Sequence, residues 1–365
     1  MKDTKDTAYI YFENVAIKIT KSGVEQIDYD SLGGYVWKDQ IINRDFKLCD
    51  DQQCDYRKFI YNISEHNPKR IHAVESTIGF LLHGYKNMGY CPAVIVNDEV
   101  ISDDPEGGTG KGLFVQGVAQ LKKMVTIDGK AFYFERSFAY QLVSADTQIL
   151  TFDDVKKNFE FERLFSVITE GITLEKKNKD AIRIPFEASP KVVITTNYAI
   201  KGKGNSYERR KWELEFFAHY SKENTPFDEF GKLFFSGWDE AEWCKFDNYM
   251  VVCLQNYLRT GFITAPFKNL KDRKFEAETC REFVTFLYEN KDQVPYDTEI
   301  MSNRVRIEFI LQNPDFSKLS HSKWNKWMRL AAKYITKQEA REGRNSEGIY
   351  FIFKEPITQT TLSLS

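Results

Sequence analysis

One stretch limits the folds open to this 365-residue chain more than any other. Gly107-Gly108-Thr109-Gly110-Lys111-Gly112 follows a predicted strand, Ala93–Ile101, and opens a predicted helix, Gly112–Met124. A glycine-rich turn between strand and helix lets backbone N–H groups curl around phosphate oxygens, and the helix N-terminus adds a favourable dipole. Lys111 is placed to reach the β- and γ-phosphates of a nucleotide. Two residues depart from the GxxxxGK(S/T) pattern: Pro105 stands at the first glycine, and Gly112 stands where a hydroxyl would bind Mg²⁺. Alone, the segment also reads as an ordinary glycine turn.

From about residue 92 strands alternate with helices, which predicts a parallel α/β sheet. Ala131–Glu135, Gln148–Phe152 and Lys191–Thr195 are expected strands, Phe159–Thr169 a helix and Ile172–Pro185 a hairpin, with helices returning from Asp228 to Leu258. Upstream, Ala8–Thr20 and Val24–Tyr29 read as strands, Tyr35–Ile42 as a short apolar run and Lys69–Tyr85 as a helix. Thr260–Asn269 is the expected linker, before three helices and a strand, Gly348–Lys354.

Composition narrows the class. Hydrophobic residues at 42%, with 29 Phe, 19 Tyr and 6 Trp, supply a sizeable core and exclude a disordered chain. Fifty-one basic against 53 acidic residues leave a net charge of −2, so any nucleic-acid contact must come from local basic surfaces. No run reaches the ~18 apolar residues of a membrane span and Met1–Thr7 is polar, so no membrane association is expected. The six cysteines read as free thiols in a reducing cytosol; Cys49 and Cys54 could be half of a zinc site, but no second Cys/His pair follows at metal-ligand spacing.

Further chemistry lies at two more strand ends. Ile149-Leu150-Thr151-Phe152-Asp153-Asp154 releases two carboxylates where ligands of open α/β sheets bind. Asp153 is placed to hold Mg²⁺ and Asp154 to orient or deprotonate an attacking water; the pair also fits a solvated strand end. The strand Lys191–Thr195 ends in Thr195-Thr196-Asn197, whose neutral amide suits a nucleophilic water beside a γ-phosphate, or simply a turn. Arg209 and Arg210 suit either a neighbouring subunit's nucleotide or a surface ion pair.

In this order, these motifs resemble the superfamily 3 helicases, AAA+-type ring ATPases, and most closely the phage/plasmid and poxvirus-type primase-helicases. The first motif matches at Gly108, Gly110 and Lys111, the second at Asp153 and Asp154, the third at Thr196 and Asn197, and the arginine finger best at Arg210, with Arg209 second. The resemblance implies an α/β fold with an AAA+-like P-loop ATPase core at 92–260. A β-rich N-terminal region (1–65), a helical collar segment (66–91) and a C-terminal winged-helix-like domain (270–365) would flank it. It implies ATP and Mg²⁺ as cofactors, Gly107 to Gly112 as the phosphate loop, a homo-hexamer and the cytoplasm of a bacterial host cell. The ninety residues before the motor are too few for a polymerising domain, so any primase would lie on a separate partner chain, a primase or polymerase, or on a portion of the protein outside this sequence.

Two basic features point to single-stranded DNA. Lys176, Lys177 and Lys179 sit at the tip of the expected hairpin, which in the family grips DNA inside the ring; a solvated charged turn is the alternative. On a helical wheel of Ser322–Lys337, Trp324, Trp327, Met328, Ala331 and Ile335 share one face, while Lys323, Lys326, Arg329, Lys333 and Lys337 share the other. Eight basic and two acidic residues fall between Phe316 and Arg344, which suits the DNA-facing helix of a winged helix, or a solvated face. The expected function is an ATP-driven helicase or translocase on single-stranded DNA in phage, plasmid or mobile-element replication. Gly112 leaves open a replication-initiation scaffold that binds nucleotide and hydrolyses it weakly; a P-loop enzyme acting on RNA is the third possibility.

Overall fold

The computed structural model describes residues 2–99, 108–136, 138–175, 177, 180–202, 204–290 and 293–356. The chain divides into two compact units, Met1–Leu270 and Lys271–Ser365.

The first unit opens with a small sheet. Strands β1 (Thr7–Phe12), β2 (Ala16–Thr20) and β3 (Val24–Ile27) form an antiparallel meander, and β4 (Ile41–Ile42) pairs parallel with β1. The Tyr35–Ile42 run contributes only that two-residue strand, after a 3-10 turn at Lys38–Gln40. Helix α1 (Asp55–Ile63) has no counterpart in the sequence expectations. Its cap is the Cys54 thiol, which accepts from Arg57 N at 3.3 Å and is not a recognisable capping residue. Helix α2 (Pro68–Leu82) starts as its sequence predicts, with Pro68 in the first turn and the Asn67 side chain accepting from Lys69 N and Arg70 N.

The central sheet is built from β5 (Ala93–Asp98), β6 (Met124–Asp128), β7 (Ile149–Val155), β10 (Lys191–Thr196) and β11 (Lys211–Phe216). Helix α3 (Lys111–Ala119) follows β5, helix α4 (Phe165–Thr169) and the hairpin β8 (Gly171–Leu174) and β9 (Ile182–Pro185) lie between β7 and β10, and α5 (Asn205–Glu208) precedes β11. In space the strands run β11-β5-β10-β7-β6, all parallel. Parallel strands covered on both faces need apolar side chains on both, which explains the runs AVIV, ILTF and KVVIT. Val94, Val96, Ile149 and Val193 pack on one face with Phe114, Val118 and residues of α1, α2 and the small sheet. Ile95, Leu150, Phe152 and Ile194 pack on the other with Phe161, Leu164 and Ile168. The N-terminal strands thus share a core with the central sheet. Helices α6 (Pro226–Phe230) and α7 (Glu240–Thr260) complete the unit.

Residues 131–135, an expected strand, do not form one; the strand lies earlier, at β6. Phe132 and Phe134 mimic strand alternation because both rings pack onto the sheet, Phe132 with its centroid 5.0 Å from that of Phe152. Edge strand β6 instead pairs with β7 in register from Met124 and Ile149.

The second unit contains α8 (Leu270–Glu278), α9 (Arg281–Asn290), β12 (Ile300–Met301), α10 (Ser302–Gln312), α11 (His321–Thr336), β13 (Arg341–Asn345) and β14 (Gly348–Ile352). Among the described residues this unit thus has four helices where three were expected. Its antiparallel sheet runs β12-β14-β13, and its core gathers Phe283, Phe309, Trp324, Trp327 and Phe351. Among the described residues, no helix is long and apolar enough to cross a membrane.

Candidate functional site

The chain leaves β5 for β6 at the far edge of the sheet and returns to β10 beside β5, so strand order reverses at the β5–β10 boundary. Ligands of open α/β sheets bind in such crevices, outside the carboxyl ends of the strands. A cleft of about 590 Å³ opens there, within the ~300–1,000 Å³ of small-molecule pockets. Gly108 to Gly112, Asp153, Asp154, Thr195 and Asn197 line it on one side; Thr225, Phe227, Leu233 and Phe234 line the other.

Helix α3 starts at Lys111, directly after Gly110. Gly108 (φ 105°) and Gly110 (φ 99°) take conformations that side chains disfavour, so the turn requires glycine at both. Lys111 is 9% exposed. Its Nζ donates to Asn197 Oδ1 at 2.6 Å and to Thr109 Oγ1 at 3.3 Å, and forms a close ion pair with Asp98. Thr109 Oγ1 donates to the other oxygen of Asp98. The last residue of β5 therefore ties down the loop's cation and its hydroxyl together.

Neighbouring strand residues ordinarily point to opposite faces, so Asp153 and Asp154 should not share a cleft. A register irregularity between β7 and β10 resolves this. Asp154 adopts φ 53°, a left-handed conformation rare for a residue with a side chain. The Thr195 hydroxyl clamps the pair, donating to Asp153 Oδ1 at 2.6 Å and accepting from Asp154 N at 2.8 Å. Asp154 also accepts from Asn197 Nδ2 at 3.5 Å and pairs with Lys130 Nζ at 2.5 Å. That carboxylate holds the Lys130 ammonium above its ordinary pKa.

The structure thus brings Lys111, Asp153, Asp154 and Asn197 to one cleft with Gly108, Thr109, Gly110 and Gly112. Gly107 lies outside the described residues. Thr196 does not face the cleft: it is buried, and its hydroxyl donates to Val155 O. The cleft-lining threonine is Thr195. Three residues that the motifs do not mark, Asp98, Thr195 and Lys130, complete the hydrogen-bonded set. Asp98 carries the same signal as Asp153, an acid at the end of an apolar strand, and is legible on that rule. Among the described residues no group of three or more His, Cys, Asp or Glu side chains is arranged to hold a metal ion.

Arg209 and Arg210 do not reach this cleft. Arg210 directly precedes β11, whose first residue pairs with the first of β5, at the opposite end of the parallel sheet. Its guanidinium lies over the Phe165 ring at 4.5 Å, and Nη1 donates to Ser206 O at 2.9 Å. Of the hairpin lysines, Lys177 is exposed at the β8–β9 turn, while Lys176 and Lys179 lie outside the described residues. In the second unit, Lys323, Lys326, Arg329, Lys333 and Lys337 are exposed and Trp324, Trp327, Met328 and Ala331 buried. Arg329 pairs with Glu342 at 2.8 Å and Lys333 with Glu339 at 3.0 Å, so the helix's charge is partly met within its own unit. All six cysteines are free, with Cys54 and Cys253 buried.

A family model described as a family of unknown function (DUF5906) matches residues 104–210, from just before the glycine loop to Arg210. No curated protein matches the chain. Among solved structures, the NrS-1 C-terminal region is similar over 96% of this chain and 97% of its own, at 13% identity and a TM-score of 0.41. A JCV helicase structure is similar over 66% of this chain and 65% of its own, at 13% identity and a TM-score of 0.31. Similarity at this level assigns no activity to the chain.

Proposed function

We propose that this protein is a nucleoside-triphosphate hydrolase that drives movement along single-stranded DNA, a ring helicase or translocase of the superfamily 3 type. One observation carries the reading: Lys111, two carboxylates and an amide from three adjacent strand ends line a single cleft at the start of a helix. A phosphate at the α3 N-terminus would take over the Lys111 ammonium from Asp98. Asp153 engages Thr195 through Oδ1 alone, which suits it to Mg²⁺, an ion that binds one or two carboxylates and keeps several waters. Bound there, the metal would supply charge neutralisation at the β- and γ-phosphate oxygens. Asp154 and Asn197 would hold the attacking water in line, with Asp154 accepting its proton. Phe227 and Leu233, both exposed at the cleft, offer an apolar wall to a nucleobase.

Arg210 cannot serve its own chain's cleft from the opposite end of a six-residue strand, about 17 Å away. Acting as a finger, it would have to reach the nucleotide of a neighbouring copy, as in a ring, in the family a hexamer. The Lys177 turn and the basic face of α11 are the proposed DNA contacts. Helices α9 to α11 followed by the β13–β14 hairpin, with β12 joined to β14, support a winged-helix reading of the second unit.

Phosphate release from ATP and unwinding of a forked duplex test the reading, and both should vanish in Lys111→Ala. Unchanged activity in that variant overturns it. Gly112 favours a second reading, nucleotide binding with little hydrolysis. ATP binding without DNA-stimulated release in the wild type, and release gained in Gly112→Ser, would select it.

A further inference from the structure

At the other end of the sheet the first unit holds a second cavity, of about 560 Å³. Four lysines line it, Lys2 exposed and the other three buried. Lys122 follows α3, Lys191 begins β10 and Lys86 follows α2, and they are only 8%, 4% and 6% exposed. Ammonium groups are among the costliest groups to bury, and each needs an acceptor or an anion.

Two of the three have acceptors. Lys191 Nζ donates to Phe80 O at 2.5 Å and to His83 O, and lies over the Phe80 ring at 4.0 Å. Lys86 Nζ donates to Ser189 Oγ at 2.7 Å and Ser189 O at 3.3 Å. Lys122 has no hydrogen bond or ion pair from its Nζ among the described residues. The carboxylate facing it is Asp3, whose oxygens accept from Tyr9 N at 2.9 Å and Gly84 N at 2.6 Å. Asp146, also in the lining, is paired with Lys123, and Glu187 is exposed.

We infer that this cavity is a binding site for a small phosphate-bearing ligand, held chiefly by Lys122 with Lys86 and Lys191. The count of donors points to phosphate rather than a carboxylate. Lys122 offers three N–H groups, and Lys86 and Lys191 one further each. A carboxylate brings one charge, whereas a phosphate monoester brings nearly two and three terminal oxygens. The volume leaves room for an organic body beside the phosphate. Burial lowers the pKa of all three lysines, Lys191 to about 7, and a bound dianion would reverse that shift. The site is separate from the nucleotide cleft, because β10 spans about 17 Å between Lys191 and Thr196.

Titration calorimetry with inorganic phosphate on the full chain tests this. The Lys111→Ala variant removes phosphate binding at the glycine loop and should retain one site. Adding Lys122→Met should weaken that site about 10- to 100-fold, the loss of one charge-assisted contact. ATP hydrolysis by the single variant Lys122→Met should match wild type. No phosphate uptake by Lys111→Ala, or equal uptake with and without Lys122, overturns the inference. The first of these requires no change at Lys122, so a variant that fails to fold does not shield the proposal. Because the site is read in a Lys111→Ala background, its failure is distinct from failure of the motor reading.

Discussion

Two glycines of the phosphate loop, two residues apart, should respond in opposite ways to alanine. Gly110 sits at φ 99°, and a Cβ there would lie 2.7 Å from Cε2 of Phe59, whose ring is fully buried. Holding a side chain in the left-handed region costs roughly 1–3 kcal/mol, and overpacking a core ring costs a further ~1–3 kcal/mol. The sum is about 2–6 kcal/mol, a large part of the stability of an ordinary domain. Gly112 has ordinary helical geometry, and a Cβ there meets nothing within 4 Å. Alanine at that position should stabilise by ~0.4–1 kcal/mol, by restricting the unfolded chain. Urea unfolding monitored by far-UV circular dichroism would give both values, provided the slope with denaturant is unchanged. A Gly110→Ala variant within 0.5 kcal/mol of wild type, or a Gly112→Ala variant that loses more than 1 kcal/mol, would refute the loop geometry. The same open space is why Gly112→Ser can test hydrolysis without disturbing the fold.

Asp98→Asn should remove the anion that competes with phosphate for Lys111, tightening ATP binding several-fold in fluorescence titration. It should also cost the nucleotide-free protein roughly 1–3 kcal/mol, because Lys111 keeps Asn197 at 2.6 Å; unchanged ATP affinity would count against the competition. Lys191, pushed down to about 7 by burial against an ordinary 10.5, binds its proton more tightly in the unfolded chain between those values. Stability in phosphate-free buffer should therefore rise with pH above 7 by up to about 1.4 kcal/mol per unit relative to Lys191→Met, followed to pH 8.5 by urea unfolding. Parallel profiles would refute the shift.

The strand ends were legible because parallel strands buried on both faces need unbroken apolar runs. A polar residue that ends such a run, as Asp153 ends ILTF, stands out without any structure. Helix α11 was legible for the matching reason, one apolar and one basic face at helical spacing. Helix α1 was not, because its cap is a thiol and its aromatic residues lie in a region rich in strand signals. Phe132 and Phe134 misled in the opposite direction, since alternating rings look like a strand wherever they pack.

Local sequence, then, determined most of the central strands, helix α11 and which strand ends carry chemistry, because those signals depend on residues near one another in the chain. Only the tertiary structure decided that Asp98 holds Lys111, that a bulge turns Asp154 beside Asp153, that Thr195 and not Thr196 faces the cleft, and that Lys86, Lys122 and Lys191 share one cavity. Each of these depends on the register and order of strands distant in sequence, and register is set by packing across the whole sheet rather than by any one segment.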